Sequence, residues 1–303
     1  MKEAYPNYYS EFNCIAENCK HNCCIGWEID VDQDTLSFYN NLDTPLGDRI
    51  RKNIEGDEPH FVLSENDRCP FLNSKGLCDI ISECGHNAVC EICRLHPRFR
   101  NFFSDFSEIG LGLCCEEAAR IVLTMTEKFS IDLPKDLTLN HDEKEFFEIR
   151  CEIFKVLQDR SLSIKERFTL LAQRFEFDFN FSLSDLLRIY LSLERLDEAW
   201  TQELENLSGL YFDTAIFEEE KFSTVFEQLS CYFIFRHLSV GIECCDYAER
   251  VRFALVSCYL IGALFAYYKE NLTQEKMIDL VRMYSSEIEY STENTDILLY
   301  EIQ

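Results

Sequence analysis

Along residues 143–287 the apolar positions recur at intervals of three and four, the spacing that lines one face of a helix. The pattern predicts helices over Glu143–Gln158, Ile164–Phe175, Ser184–Glu205, Phe217–Val240, Asp246–Asn271 and Gln274–Glu287. Ser184, followed by Asp185, and Thr273 stand where N-caps belong. Strict alternation, the mark of a half-buried strand, occurs in the Phe-rich RFEFDFNFSL of Arg174–Leu183, which is isolated. The uncharged run Phe253–Tyr268 is 16 residues long, short for a membrane span, and contains Ser, Cys, Gly and three Tyr; it reads as a buried core helix.

The first 120 residues have a different texture. Short apolar runs are broken by Asn, Asp, Pro and Gly, with brief helices expected at Gln33–Asn41 and Glu116–Lys128. Such a stretch buries little apolar surface per residue and gains from a metal staple. The polar segment Ile131–Asp142, with Pro134 inside it, marks a boundary. The expectation is a mainly α protein: an irregular cysteine-rich metal-binding region over residues 1–130, then an all-helical bundle over residues 131–303.

Charge narrows the range of partners. Lys and Arg number 29 against 55 Asp and Glu, a formal net charge of −26. That surface repels phosphate backbones and anionic headgroups, so neither a nucleic acid nor a membrane is expected as partner. A basic protein or a lysine-bearing substrate suits the sign. The start, MKEAYPNYYSEFNC, lacks the apolar core of a secretory signal, and the expected compartment is the cytoplasm.

There are 16 cysteines, and 11 of them fall in the first 115 residues. Dense thiols at short spacings in a reducing compartment point to metal rather than disulfides. They form four groups: Cys14-x4-Cys19-x3-Cys23-Cys24; Cys69 and Cys78, on the arms of a hairpin turning at Asn73–Gly76; Cys90-x2-Cys93; and Cys114-Cys115 before a helix. Of these spacings only Cys90/Cys93 is the pair that tetrahedral zinc prefers, and the irregular remainder suits an iron–sulfur cluster as well. Both metals stay open on spacing. The CxxxCxxC pattern is begun by Cys19 and Cys23, but Gly26 holds its third place. Cys151, Cys231 and Cys258 read as ordinary buried thiols.

The cysteine runs, together with CPFL at Cys69, LCDI at Leu77, CRLHPR at Cys93 and CCEEAAR at Cys114, resemble the flagellin lysine-N-methylases of the FliB type. The resemblance continues at Ser192–Trp200 and Tyr232–Leu238, and the first half is also similar to YkgJ-type zinc- or iron-chelating domains. It implies a ligand pool of Cys14, Cys19, Cys23, Cys24, Cys69, Cys78, Cys93 and Cys115, with Cys84, Cys90 and Cys114 less expected. It further implies an iron–sulfur cluster of the 4Fe–4S kind, with zinc as the alternative, and methylation of flagellin lysines by S-adenosylmethionine.

Other residues have two readings each. Trp27 either covers the metal or stacks on a cofactor, and Arg98 either grips a carboxylate of cofactor or substrate or offsets thiolate charge. Glu116 and Glu117 either meet an incoming ammonium or simply suit a helix N-terminus. His21 and His96 read as loop residues rather than ligands, and Arg236-His237 as cleft lining or as a buried pair with an acid. Gly110-Leu-Gly112 lacks the context of a nucleotide loop. The competing function is a non-catalytic zinc- or iron-binding module, or a metal-handling protein, that grips a basic partner.

Overall fold

The computed structural model describes residues 2–303 apart from Trp27 and Cys245. By contact the chain falls into two units, Asn13–Arg98 and Met1–Phe12 with Phe99–Gln303. The segment Ile131–Asp142, expected to mark a boundary, lies inside the larger unit.

In the smaller unit, helices α1 (Gln33–Asn40), α2 (Pro45–Lys52), α3 (Asp79–Cys84) and α4 (Glu91–Leu95) are short and joined by turns. Asp32 caps α1 by accepting from Thr35 N at 3.0 Å, and its second oxygen accepts from Glu91 N at 2.8 Å, tying the starts of α1 and α4 together. Thr44 caps α2 through Gly47 N at 3.1 Å, and Pro45 takes the first turn, where its missing N–H costs nothing. The expected hairpin is present. Leu72 bridges Cys78, Asn73 Oδ1 accepts from Lys75 N and Leu77 N at 2.9 and 3.1 Å, and Gly76 supplies the positive φ of 75°. Ile29, Val31, Tyr39, Ile50, Phe61 and Phe71 make a small separate core.

The larger unit begins with a sheet that the sequence pattern does not announce. Its strands are β1 (Lys2–Pro6), β2 (Arg98–Phe102), β3 (Phe106–Leu111) and β4 (Ile131–Asp132), in the order β2-β3-β1-β4. β1 runs parallel to β3, with Ala4 opposite Glu108, and antiparallel to β4, with Tyr5 opposite Asp132.

The helices are α5 (Glu116–Thr124), α6 (His141–Leu157), α7 (Ile164–Arg174), α8 (Leu183–Ser192), α9 (Glu198–Asn206), α10 (Glu220–His237), α11 (Gly241–Cys244), α12 (Tyr247–Tyr268), α13 (Gln274–Tyr284) and α14 (Thr292–Glu301). Capping boxes at Asn140/Glu143 and Ser163/Glu166 start α6 and α7. α10 and α12 are buried almost all round, so the apolar run Phe253–Tyr268 belongs to a core helix. Buried charges are met by partners: Arg150 meets Glu108 through two bonds of 2.7 and 2.6 Å, and Glu227 receives Arg167 at 2.9 Å and Arg160 at 2.7 Å.

Three local expectations differ from the structure. The stretch Ser184–Glu205 is two helices, because Glu287 accepts from Leu196 N and Asp197 N at 3.0 and 2.8 Å and holds the chain open between them. The cap of α8 is Ser182 rather than Ser184. The alternating Phe segment forms no strand; Phe179 and Phe181 pack edge-on against Tyr259, using the alternation to fill the core from a loop.

Candidate functional site

Six thiols of the smaller unit, Cys23, Cys24, Cys69, Cys78, Cys90 and Cys93, lie within reach of one another's charge. Backbone geometry assembles them. Cys69 N donates to Cys24 O at 2.8 Å, the hairpin brings Cys78 back beside Leu72, and Cys90 with Cys93 opens α4. The thiols pair by hydrogen bonds. Cys24 donates to Cys23 and lowers the Cys23 pKa, Cys93 donates to Cys90 and lowers it likewise, and the pKa of each donor is raised. Burial pushes Cys69 up to about 11 and raises Cys78. Tyr39 reaches Cys90 Sγ at 3.8 Å from the apolar side.

The donor chemistry fits a thiolate-bound metal or cluster, since every member is a soft sulfur ligand. The group gathers donors without closing them on one point. Among the described residues, no three His, Cys, Asp or Glu side chains are arranged about a common metal position.

The remaining residues singled out from sequence are placed as follows. Cys14 is exposed, and Cys19 donates to His21 O at 3.1 Å. Cys115 belongs to the larger unit, as N-cap of α5. Trp27 lies outside the described residues. Arg98 opens β2 and reaches His96 O at 3.5 Å; burial and the Arg98 charge lower His96 to about 4. Glu117 is held by Arg120 through two bonds of 2.7 Å, while Glu116 sits in the first turn of α5. Cys231 and Cys258 are buried, whereas Cys151 is exposed on α6.

The larger unit holds a buried ionic knot that the sequence only hints at. Arg236 and His237 end α10, and Glu289 ends an irregular π-type turn, Ser285–Glu289. Arg236 Nη1 donates to Tyr232 Oη at 2.8 Å, Tyr232 Oη donates to Glu289 Oε2 at 3.1 Å, and His237 Nε2 lies 2.7 Å from Glu289 Oε1. The Arg236 guanidinium is sandwiched between Phe99 at 5.0 Å and Tyr290 at 4.6 Å. Of the two readings of Arg236, the buried pair with an acid is the one observed.

Tyr290 is hydrogen-bonded to Cys114, whose thiol burial pushes up to about 12. Gly112 lets these groups meet: a Cβ there would lie 2.0 Å from Tyr290 Oη and 3.1 Å from Arg236 Nη1. At Gly110 a Cβ would strike Phe99 and Phe235 at 2.2 and 2.7 Å. The two glycines therefore serve close packing, not phosphate binding. π-type turns recur at functional sites, and this one carries the acid of the knot.

Residues 141–303, which contain the whole of α10 and the π-type turn, match the family model of the FliB lysine N-methylase C-terminal domain. The chain belongs to the FliB lysine N-methylase family. The lysine-N-methylase of Salmonella typhimurium is 21% identical over 224 residues, covering 67% of this chain and 56% of that relative. The flagellar biosynthetic protein FliU of Salmonella muenchen is 22% identical over 151 residues, covering 47% of this chain and 89% of that relative. The chain thus spans little more than half the length of the Salmonella lysine-N-methylases it matches. No solved structure matches it. Arg236, His237 and Glu289 all lie in the matched residues.

Proposed function

We propose that the chain is a cytoplasmic protein-lysine N-methyltransferase that acts on flagellin and takes its methyl group from S-adenosylmethionine. The observation that carries this reading is the family match over residues 141–303, joined to relatives whose names specify lysine methylation and the flagellum.

Methyl transfer to lysine requires loss of the ammonium proton, an in-line donor and exclusion of water. A formal charge of −26 favours encounter with a lysine-bearing surface. Once the amine is bound, an apolar aromatic setting lowers its pKa, whereas a facing carboxylate would raise it. The Arg236 knot engages both carboxylate oxygens of Glu289 and presents the Tyr290 ring, 45% exposed, at the surface. The aromatic Tyr290 surface suits the reacting end of a lysine.

Cys23, Cys24, Cys69, Cys78, Cys90 and Cys93 are the residues that would hold an iron–sulfur cluster, or zinc in its place. When bound, the group would supply folding free energy and, for a cluster, redox-active iron.

The test is the mass of flagellin lysines in cells with the chain, without it, and with it restored. Methyl groups that vanish on deletion and return on restoration support the reading. Identical lysine masses in all three leave the metal-binding module as the better account.

A further inference from the structure

Lys128, Ile131 and Leu133 on one side and α6 on the other enclose an open groove of about 630 Å3. On α6 the lining residues Phe147, Cys151, Phe154 and Gln158 follow helical spacing, so they share one face. The floor is apolar, and Leu133 is left 46% exposed beside it. Arg150 stacks on Phe147 at 4.8 Å, but its charge is already matched by Glu108.

The rim reverses the sign of the molecule. Lys128 and Lys155 line the groove, and neither forms an ion pair among the described residues. Among the described lining residues the acid is Asp159, which accepts from Ser161 Oγ at 2.6 Å and also feels the charge of Lys128. Two lysines over an aromatic floor are out of character for a chain of charge −26.

We propose that this groove docks an acidic peptide segment of a partner protein, anchored by an aromatic or leucine side chain. Carboxylates of the segment meet Lys128 and Lys155, and its anchor buries against Phe147, Phe154 and Leu133. The volume lies within the range of about 300–1,000 Å3 that holds a few side chains. A lysine-rich segment is repelled at the same rim, so this surface is distinct from any that reads a substrate lysine. The proposal does not depend on the methylase reading.

The test is fluorescence anisotropy with a labelled peptide carrying Phe and Leu between glutamates, against the same peptide with lysines for glutamates. Alkylation of Cys151, followed by peptide mapping, gives a second readout at the groove itself. The expected result is binding of the acidic peptide alone, weakened at least tenfold by the pair K128E and K155E, weakened by L133S, and accompanied by protection of Cys151. Circular dichroism of each variant confirms folding, which surface lysines outside any ion pair leave intact. Equal binding of both peptides overturns the proposal. So do no binding up to millimolar peptide, undiminished binding to the lysine variant, or a Cys151 that alkylates as fast with peptide as without. Self-association that covers Cys151 would assign the groove to a second copy and overturn it as well.

Discussion

His237 Nε2 stands 2.7 Å from Glu289 Oε1, joining the last residue of α10 to the last residue of the π-type turn. The same carboxylate compensates Arg236, with Nε 3.4 Å from Oε1. Glu289 therefore matches two buried nitrogen groups at once. E289Q keeps the shape and removes the charge, leaving Arg236 buried and uncompensated. The expected loss is about 3–5 kcal/mol of stability, read from the denaturant midpoint. A loss below about 1 kcal/mol would mean that the knot is not held by charge.

The pair also sets a pH dependence. Burial lowers His237 from 6.5 despite the pull of Glu289. Burial pushes Glu289 up, but Arg236 and the His237 hydrogen bond prevail, and it lies below 4.5. Both groups take protons more readily in the unfolded chain, so both make stability fall on acidification. The histidine part is lost as pH drops below about 6.5, and the glutamate part below about 4.5. His96, lowered to about 4, acts in the same direction in the smaller unit. Comparison with H237Q, which retains a donor, isolates the upper part: its melting temperature should vary less between pH 7 and 5 than that of the wild type. Equal slopes would contradict the assignment.

Gly112 is a packing glycine, and its replacement should show the cost. In G112A the new methyl meets the Tyr290 hydroxyl, so Tyr290 must swing away from Arg236. A destabilisation of about 1–3 kcal/mol is expected. Y290F removes the hydroxyl and should recover part of it in the double variant, although the ring carbon would still lie at 2.9 Å. Strict additivity of the two changes would rule out the contact.

Much of the helical half is legible because its signals are local. Thr273 does cap α13, and the apolar periods of α6, α7 and α10 mark those helices to within a few residues. β1 is not legible for the opposite reason: its partners, Phe106–Glu108 and Ile131–Asp132, lie a hundred residues or more away. The break at Leu196 depends likewise on Glu287, 91 residues distant.

In the candidate site, the family resemblance implies Cys14, Cys19, Cys23, Cys24, Cys69, Cys78, Cys93 and Cys115, and Cys23, Cys24, Cys69, Cys78 and Cys93 lie within reach of one another's charge. Cys90, less expected from the family pattern, joins them through Cys93 and Tyr39. Its i, i+3 relation to Cys93 at the start of α4 was the available signal. Cys115 shares the cysteine text but folds with the larger unit. Glu289 carries no motif at all, and only packing against α10 reveals it.

The sulfur group yields a ligand-removal prediction. After anaerobic purification, C24S, C69S, C78S and C93S should each lose most of the bound metal and become protease-sensitive, since ligand loss removes folding free energy. C231S and C258S should keep it, because these thiols sit in the core of the larger unit. Metal per chain by mass spectrometry decides. Full metal content in all four of the first set would show that the gathered thiols bind none.

The most direct measurement is methyl transfer in a reconstituted mixture of metal-loaded chain, purified flagellin and isotopically labelled S-adenosylmethionine. The account predicts label on flagellin lysines, formed at a kcat/KM that rises with pH toward a plateau and falls with salt as screening shortens from about 10 Å at 0.1 M to about 3 Å at 1 M. No label on any lysine, with the metal fully loaded and the flagellin folded, would contradict it.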